Sequence, residues 1–287
     1  MNEPGQNSAS GPADKRVDAN QLSGVSETAL ATLNSRAYQA GLPDPLIHDP
    51  VAAKLVDAID FDFGKFGRSQ QGQEFALRAL AFDGCVHRYL QKHPNATVVA
   101  LAEGLQTSFW RLSHALPDAR FKWVSIDFPP IVELRERLLP SSPRVTNLAQ
   151  SALDYSWMDG IDAGQGVVVT AEGLLMYLQP SEAMDLIAQC AKRFPGGQMV
   201  FDLPPTIIKM MPKGAKLSKH YRWPPMPFTV SSKELANLVD TVPGVRAVHD
   251  VPMPKGRGLL FGAVVPTLWR FGPLKPFRGA YTVLEFD

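Results

Sequence analysis

The sequence predicts an α/β fold built on an open, mostly parallel sheet. Short apolar runs bounded by turn residues recur at Thr97–Ala102, Phe121–Ile126 and Gly166–Thr170, with weaker runs at Val145–Leu148 and Met199–Phe201. Helical stretches at 130–139 and 181–194 lie between them. Strands that alternate with helices pair in parallel, and strands buried on both faces read as continuous apolar runs. Two further strand-like runs, Val245–Val251 and Tyr281–Phe286, have no good helix between them, so the sheet should finish antiparallel at one edge.

The N-terminal third carries helices. Residues 1–22 are polar and aperiodic and read as a flexible tail. Ser26 is a plausible N-cap for a helix bearing Ala29, Leu30, Leu33, Ala37 and Ala40, which Gly41 and Pro43 stop. A second helix follows Asp49, with Val51, Ala52, Leu55, Val56 and Ile59 on one side. A third runs from Gln73 to Lys92 and carries Leu77, Leu80, Ala81, Cys85, Tyr89 and Leu90. His93-Pro94-Asn95 ends it. This gives a helical cap over 23–93 on a single domain spanning 23–287. Nine of the 25 prolines fall between Asp202 and Pro254, so 204–230 reads as a lid insertion after the fifth strand of the sheet.

Composition narrows the function. The 287 residues carry 29 basic and 28 acidic side chains, a formal charge of +1, which offers no global field for nucleic acid. Hydrophobic residues make up 45%, and no apolar run approaches the ~20 residues of a membrane helix. The N-terminus has no apolar signal core, and the two cysteines, Cys85 and Cys190, match no metal or redox spacing. A cytoplasmic protein with no membrane and no nucleic-acid partner is the expectation. The six histidines (His48, His87, His93, His114, His220, His249) look scattered, so no metal site is expected. Neither a G-x-S-x-G elbow nor a phosphate loop is present, and G-x-G-x-x-G is absent.

Ligands of open α/β sheets bind beyond the C-terminal ends of the strands. Gly104 follows the first sheet strand, where a glycine lets the backbone approach a ligand. Asp127 ends the second, about 20 residues past that glycine turn, where a carboxylate can take paired hydrogen bonds from ribose hydroxyls. Glu172 follows the Gly166–Thr170 strand, and buried carboxylates are seldom unpaired. Blander roles exist: Gly104 as an ordinary turn, Asp127 as a helix cap, and Glu172 paired with an arginine of the helical layer.

The run Val98-Val99-Ala100-Leu101-Ala102-Glu103-Gly104-Leu105-Gln106-Thr107-Ser108-Phe109-Trp110-Arg111-Leu112 resembles the first motif of the leucine carboxyl methyltransferase family, close to V-x-L-G-A-G-x-D-T-x-F-W-R-L. That family includes polyketide O-methyltransferases of the tetracenomycin type. Trp123–Pro129 with Glu133-Leu134-Arg135 is similar to its aspartate-leucine-proline segment. Ala171-Glu172-Gly173-Leu174-Leu175-Met176-Tyr177-Leu178 is similar to its A-E-G-x-x-x-Y-L. Asp44–Pro50 and Arg78 resemble its N-terminal part, so the likeness spans about 26–205. It implies a class I methyltransferase (Rossmann-like) fold and S-adenosylmethionine as donor. By position, Arg78 and Arg36 would hold the methionine carboxylate, and Gly104 would admit the donor. Asp127 would bind the ribose, Ser151 and Ala152 would flank the adenine, and Glu172 would lie near the methionyl ammonium.

The chain departs from the pattern at Ala102, in place of the first glycine, and at Glu103, whose charge needs a partner. Gln106 stands where the family has aspartate, as does Ser151 in many members. These departures motivate one alternative, a degenerate member that binds without catalysis. Protein C-terminal carboxyl methylation is another. The reading carried forward is O-methylation, at a carboxylate or hydroxyl, of a small acidic molecule of secondary metabolism. Tyr177 and His220 are the candidate catalytic groups. The lid should contribute Met210, Met211, Tyr221 and Trp223 as apolar surface, with Lys209, Lys213, Lys216, Lys219 and Arg222 capturing an acidic acceptor.

Overall fold

The computed structural model describes residues 16–210, 216–268 and 278–287. Its main sheet has seven strands: β3 (Thr97–Leu101), β4 (Lys122–Asp127), β5 (Val145–Ala149), β6 (Val167–Ala171), β7 (Gln198–Leu203), β8 (Val245–Asp250) and β9 (Ala280–Phe286). Their spatial order is β5-β4-β3-β6-β7-β9-β8. Strands β3 to β7 pair in parallel, and β9 runs antiparallel between β7 and β8. The chain builds outward from β3 to β5, then crosses back to place β6 on the other side of β3. That reversal opens a crevice at the C-terminal ends of β3 and β6.

Strands β3 and β6 are buried on both faces, which is why their sequences do not alternate. Val99, Leu101, Val167 and Val169 join one core with α6 (Pro180–Arg193), while Val98, Ala100 and Val168 join the other. That second core contains Phe82, Cys85, Val86 and Tyr89 of α3 (Glu74–Lys92), and Phe109 and Leu112 of α4 (Ser108–Ala115). No helix among the described residues is long and apolar enough to cross a membrane.

A third core joins the helical cap to the sheet domain. Leu30 and Leu33 of α1 (Gly24–Ala40) and Ala52 and Leu55 of α2 (Pro50–Ala58) pack with Ile131 and Leu134 of α5 (Pro129–Leu138). The tail expected over 1–22 is corrected for its described part. Val17–Asp18 forms β1, paired in parallel with β2 (Ile59–Asp60), and Val17, Ala19 and Leu22 are buried in this core. Residues 1–15 lie outside the described residues. Helix α1 begins two residues before Ser26, after Ser23, and Ser23 makes no side-chain cap bond. Asp49 does cap α2, accepting from Ala52 N at 3.0 Å.

Helix α5 is fixed to the turn after β3 by a charge rather than by apolar packing alone. Arg135 Nη2 stands 2.9 Å from Glu103 Oε2, and neither side chain has appreciable exposure. Arg135 Nη1 donates to the carbonyls of Gly104 at 2.8 Å and Gln106 at 3.2 Å. Trp123 Nε1 donates to Glu103 at 3.1 Å. Removing one partner of a buried pair strands the other charge and costs about 3–5 kcal/mol. Arg135→Leu should therefore lose stability on that scale in chemical denaturation. Arg135→Leu with Glu103→Leu should lose distinctly less than the sum of the two single changes, and simple additivity would refute the pairing.

Candidate functional site

A cavity of about 360 Å³ opens at the strand C-termini, between the turn after β3, the end of β4, the turn after β6, the segment following β7 and the N-terminus of α1. Gly104 lies in it with φ +60, a left-handed conformation that glycine adopts freely. A Cβ there would meet the Ala29 Cβ of α1 at 3.0 Å, so the backbone passes close to the cap. Ala102 also has positive φ, at +47, where the family pattern has glycine. Its left-handed backbone carries a strain of about 1–2 kcal/mol.

Asp127 caps β4 from inside the site. Its Oδ2 accepts from Gly104 N and its Oδ1 from Phe128 N, both at 2.7 Å. Asp127 lines the cavity, and each of its oxygens has a second lone pair. Burial raises the Asp127 pKa, against the opposing pull of those two N–H groups and Arg135.

Arg78 reaches in from α3. Its Nε donates to Glu172 Oε1 at 2.9 Å, and its Nη1 lies 3.5 Å from Asp202 Oδ2. Burial alone would lower the Arg78 pKa, but Asp202 and Glu172 outweigh it and the net shift is upward. Its guanidinium carbon sits 5.3 Å from the Phe75 ring centre. Glu172 thus has the arginine partner that the plainer reading of its sequence context anticipated. It also receives Gln106 Nε2 on both oxygens, at 2.8 Å each. Asp202 accepts from Gly173 N at 2.6 Å, and burial raises its pKa against the counter-pull of Arg78.

Of the residues singled out in the sequence, Arg78, Gly104, Asp127, Glu172 and Tyr177 line this one cavity. Burial pushes the Tyr177 phenol up to about 12. Four others do not line the cavity. Arg36 is buried outside the cavity lining, donating from Nη2 to Leu105 O at 2.7 Å with its Nε 3.5 Å from Asp49, so its charge is spent on the cap. Ser151 and Ala152 are not among the lining residues. The Ser151 hydroxyl accepts from Leu153 N, and the Ala152 carbonyl accepts from Trp157 Nε1. His220 is exposed and away from the cavity.

The described part of 204–230 does border the cavity, through Pro204, Ile208, Trp223 and Met226. Tyr221 does not: it is buried, edge-on to Phe66 at 4.9 Å. Lys216, Lys219 and Arg222 are exposed and do not line the cavity. Met210 is also exposed. Met211 and Lys213 fall outside the described residues, as does the Lys209 side chain. His48, His87 and His114 do share a separate recess with Trp110, so these three are not scattered. Among the described residues no group of three or more His, Cys, Asp or Glu could hold a metal ion.

Sequence reasoning passed over Asp202 and missed the role of Gln106. Asp202 obeys the same strand-end rule as Asp127, but the Met199–Phe201 run was too short to carry its end forward. Gln106 shows in the sequence only as a departure from the family pattern, because its role depends on the residues facing it.

Comparison with known proteins gives a consistent picture. A family model described as leucine carboxyl methyltransferase matches residues 29–191. The tetracenomycin polyketide synthesis O-methyltransferase TcmP of Streptomyces glaucescens is 31% identical over 227 residues, 79% of this chain and 82% of the relative. The S-adenosyl-L-methionine-dependent methyltransferase dpfgK of Gibberella zeae is 27% identical over 205 residues, 65% of this chain and 68% of its own. Among solved structures, a Thermobifida fusca protein assigned to the methyltransferases superimposes with a TM-score of 0.55 at 14% identity, over 89% of this chain and 94% of the other. That likeness is one of fold.

Gly173 gives a direct check of the geometry. It has φ +67, and a Cβ there would lie 3.2 Å from Arg78 Nη1. Gly173→Ala should cost about 1–2 kcal/mol for the left-handed backbone. The crowded guanidinium should also shift, visible in a crystal structure as a longer Arg78–Glu172 contact. A variant as stable as the parent, with Arg78 unmoved, would contradict this packing.

Proposed function

The chain belongs to the leucine carboxyl methyltransferase family, and from that premise we propose that it methylates an oxygen of a largely apolar, acidic small molecule of polyketide type. The chain is an S-adenosylmethionine-dependent methyltransferase; the acceptor and the roles of individual residues are our reading. One observation carries it: the cavity joins a polar wall suited to the donor to an apolar wall, and the described residues lining it offer no free base.

The polar wall fits the donor by its chemistry. Arg78 and Glu172 form an adjacent cation–anion pair, complementary to the carboxylate and ammonium of an α-amino acid. Asp127 sits where a ribose would present its hydroxyls, and the positive-φ turn at Gly104 keeps side-chain bulk out of the crevice. Arg135 and Trp123 hold Glu103, so its charge does not face the donor uncompensated. This compensation weighs against a degenerate site. When bound, S-adenosylmethionine supplies an electrophilic methyl group on a sulfonium.

The residues then align the acceptor and keep water out. Phe75, Met176, Ile208, Trp223 and Met226 form the apolar wall. Such a surface takes up a flat aromatic body and strips its oxygen of water, which favours in-line displacement. Glu103, Asp127 and Glu172 are already engaged, and among the described lining residues there is no histidine. The Tyr177 phenol, raised to about 12, stays protonated near neutral pH and can donate a hydrogen bond but not take a proton. An acceptor oxygen must therefore arrive ionised, as a carboxylate or an acidic phenol. Acidity enters through this requirement rather than through the lid cations.

The test is methyl transfer to aromatic acids and phenols whose pKa values run from about 4 to about 10. Below each acceptor's own pKa, kcat/KM should climb about tenfold per pH unit, then level off above it. A break at one fixed pH for every acceptor would reveal an enzymic base and overturn the mechanism. For the donor, the raised Asp127 pKa means that the ionised form is lost at higher pH than for an exposed carboxylate. Donor affinity measured by calorimetry should thus fall on acidification above about pH 4. Asp127→Asn should bind at least about tenfold more weakly at neutral pH and lose that acid dependence.

A further inference from the structure

Gln106 is the only bridge in the described site between the cavity acid Glu172 and the charged network behind it, and its amide can point only one way. Its Oε1 accepts from Thr107 N at 3.1 Å and from Arg111 Nη2 at 3.2 Å. Two donors on that side fix the carbonyl there, so the N–H₂ faces Glu172 and donates to both carboxylate oxygens. The reversed amide would set hydrogens against hydrogens and a carbonyl against a carboxylate.

Arg111 is itself immobilised from three directions. Its Nε and Nη2 donate to Asp83 of α3 at 2.6 and 3.1 Å. Its Nη1 donates to Asp49, the α2 cap, at 2.7 Å, and to Thr107 Oγ1 at 2.6 Å. Its Nη2 also donates to Ser108 Oγ at 2.9 Å. The cap helices, α4 and the β3 turn therefore all converge on one amide orientation.

We infer that Gln106 is a positioning residue: its locked amide holds the Glu172 carboxylate in place beside Arg78 without adding a charge, leaving one balanced pair for the amino-acid end of the donor. This rests on the donor reading of the cavity given above. The aspartate of the family pattern is one methylene shorter than Gln106, whose amide reaches Glu172 itself. An acid of the same length as Gln106 would face Glu172 with a like charge, and a cation would leave the wall with excess positive charge. The other charged groups facing Glu172 are spoken for. Arg78 of α3 pairs with it and with Asp202 of β7, while Asp83 and Glu103 in the small recess behind are held by Arg111 and Arg135.

Two isosteric changes separate positioning from bulk. Gln106→Glu keeps the shape and the acceptor atoms but exchanges the N–H donors for a charge. Gln106→Leu removes the polar atoms altogether. In calorimetry with S-adenosylmethionine, Gln106→Glu should bind about 10–100-fold more weakly than the wild type at pH 8.5. That deficit should shrink toward pH 6, because one of two facing carboxylates then takes a proton and donates to the other. Gln106→Leu should show a deficit of about tenfold at every pH. Without donor, urea midpoints of Gln106→Glu should likewise approach those of the wild type as pH falls, since the folded state holds the extra proton.

Equal donor affinity in Gln106→Glu and wild type, or a deficit that ignores pH in both measurements, would overturn the assignment. A wild type that binds no S-adenosylmethionine would overturn the donor reading first. The urea series would still show whether Gln106 and Glu172 face each other.

Discussion

Asp49, Asp83, Glu103, Asp127, Glu172 and Asp202 crowd the region where the parallel strands end; Arg78, Arg111 and Arg135 run between five of them, and two backbone N–H groups hold Asp127. A lone ionised carboxylate in this setting would cost several kcal/mol or take up a proton. Each guanidinium serves a different mounting. Arg135 ties α5 to the turn after β3, Arg111 ties α2 and α3 to the start of α4, and Arg78 ties α3 to the turn after β6 and to the end of β7. The apolar cores fix how far apart the layers sit. The ion pairs fix which way the crevice-lining side chains point.

This arrangement explains why the departures in the glycine turn are tolerated. Glu103 adds a buried charge, and Arg135 and Trp123 compensate it within the same layer. Ala102 carries a left-handed backbone that glycine would adopt without strain, and it does so immediately after a buried strand end. Its amide donates to Ile126 O at 2.7 Å, so the ladder to β4 holds the turn in that conformation. Gln106 keeps the wall beside Glu172 neutral. These residues form a connected set, and exchanging any one back toward the family pattern alters the charge or strain that its neighbours are built around.

Much of the sheet was legible in the sequence because buried parallel strands announce themselves as unbroken apolar runs. The strand-end rule likewise led from Gly104, Asp127 and Glu172 to a real cavity. What local sequence does not show has one cause: it concerns partners distant in sequence. Arg36 and Arg78 are both arginines on cap helices, and only the fold shows that Asp49 and a carbonyl take up the first while the second reaches the crevice. His220 sits in a segment that does border the cavity, yet neighbouring residues turn the other way, and no local pattern encodes that choice. Val17–Asp18 is too short to read as a strand, and its pairing with Ile59–Asp60 depends on α1 and α2 folding back. Gln106 was visible only as a mismatch until Arg111 and Glu172 stood on either side of it.

The placement of β9 has a consequence for how the molecule comes into being. In sequence β9 follows every other strand, yet in space it lies between β7 and β8 and supplies hydrogen bonds to both. On the ribosome, the strands up to β7 can pair as they emerge, but the outer side of β7 must wait unpaired until residues 280–286 have been made. During that interval Met199, Val200 and Phe201 sit at an open edge, the kind of surface that invites pairing with another nascent chain. Strand β8 also has no neighbour to join until then. A stall in translation between β8 and β9 would leave a nearly finished sheet open at the seam beside Asp202.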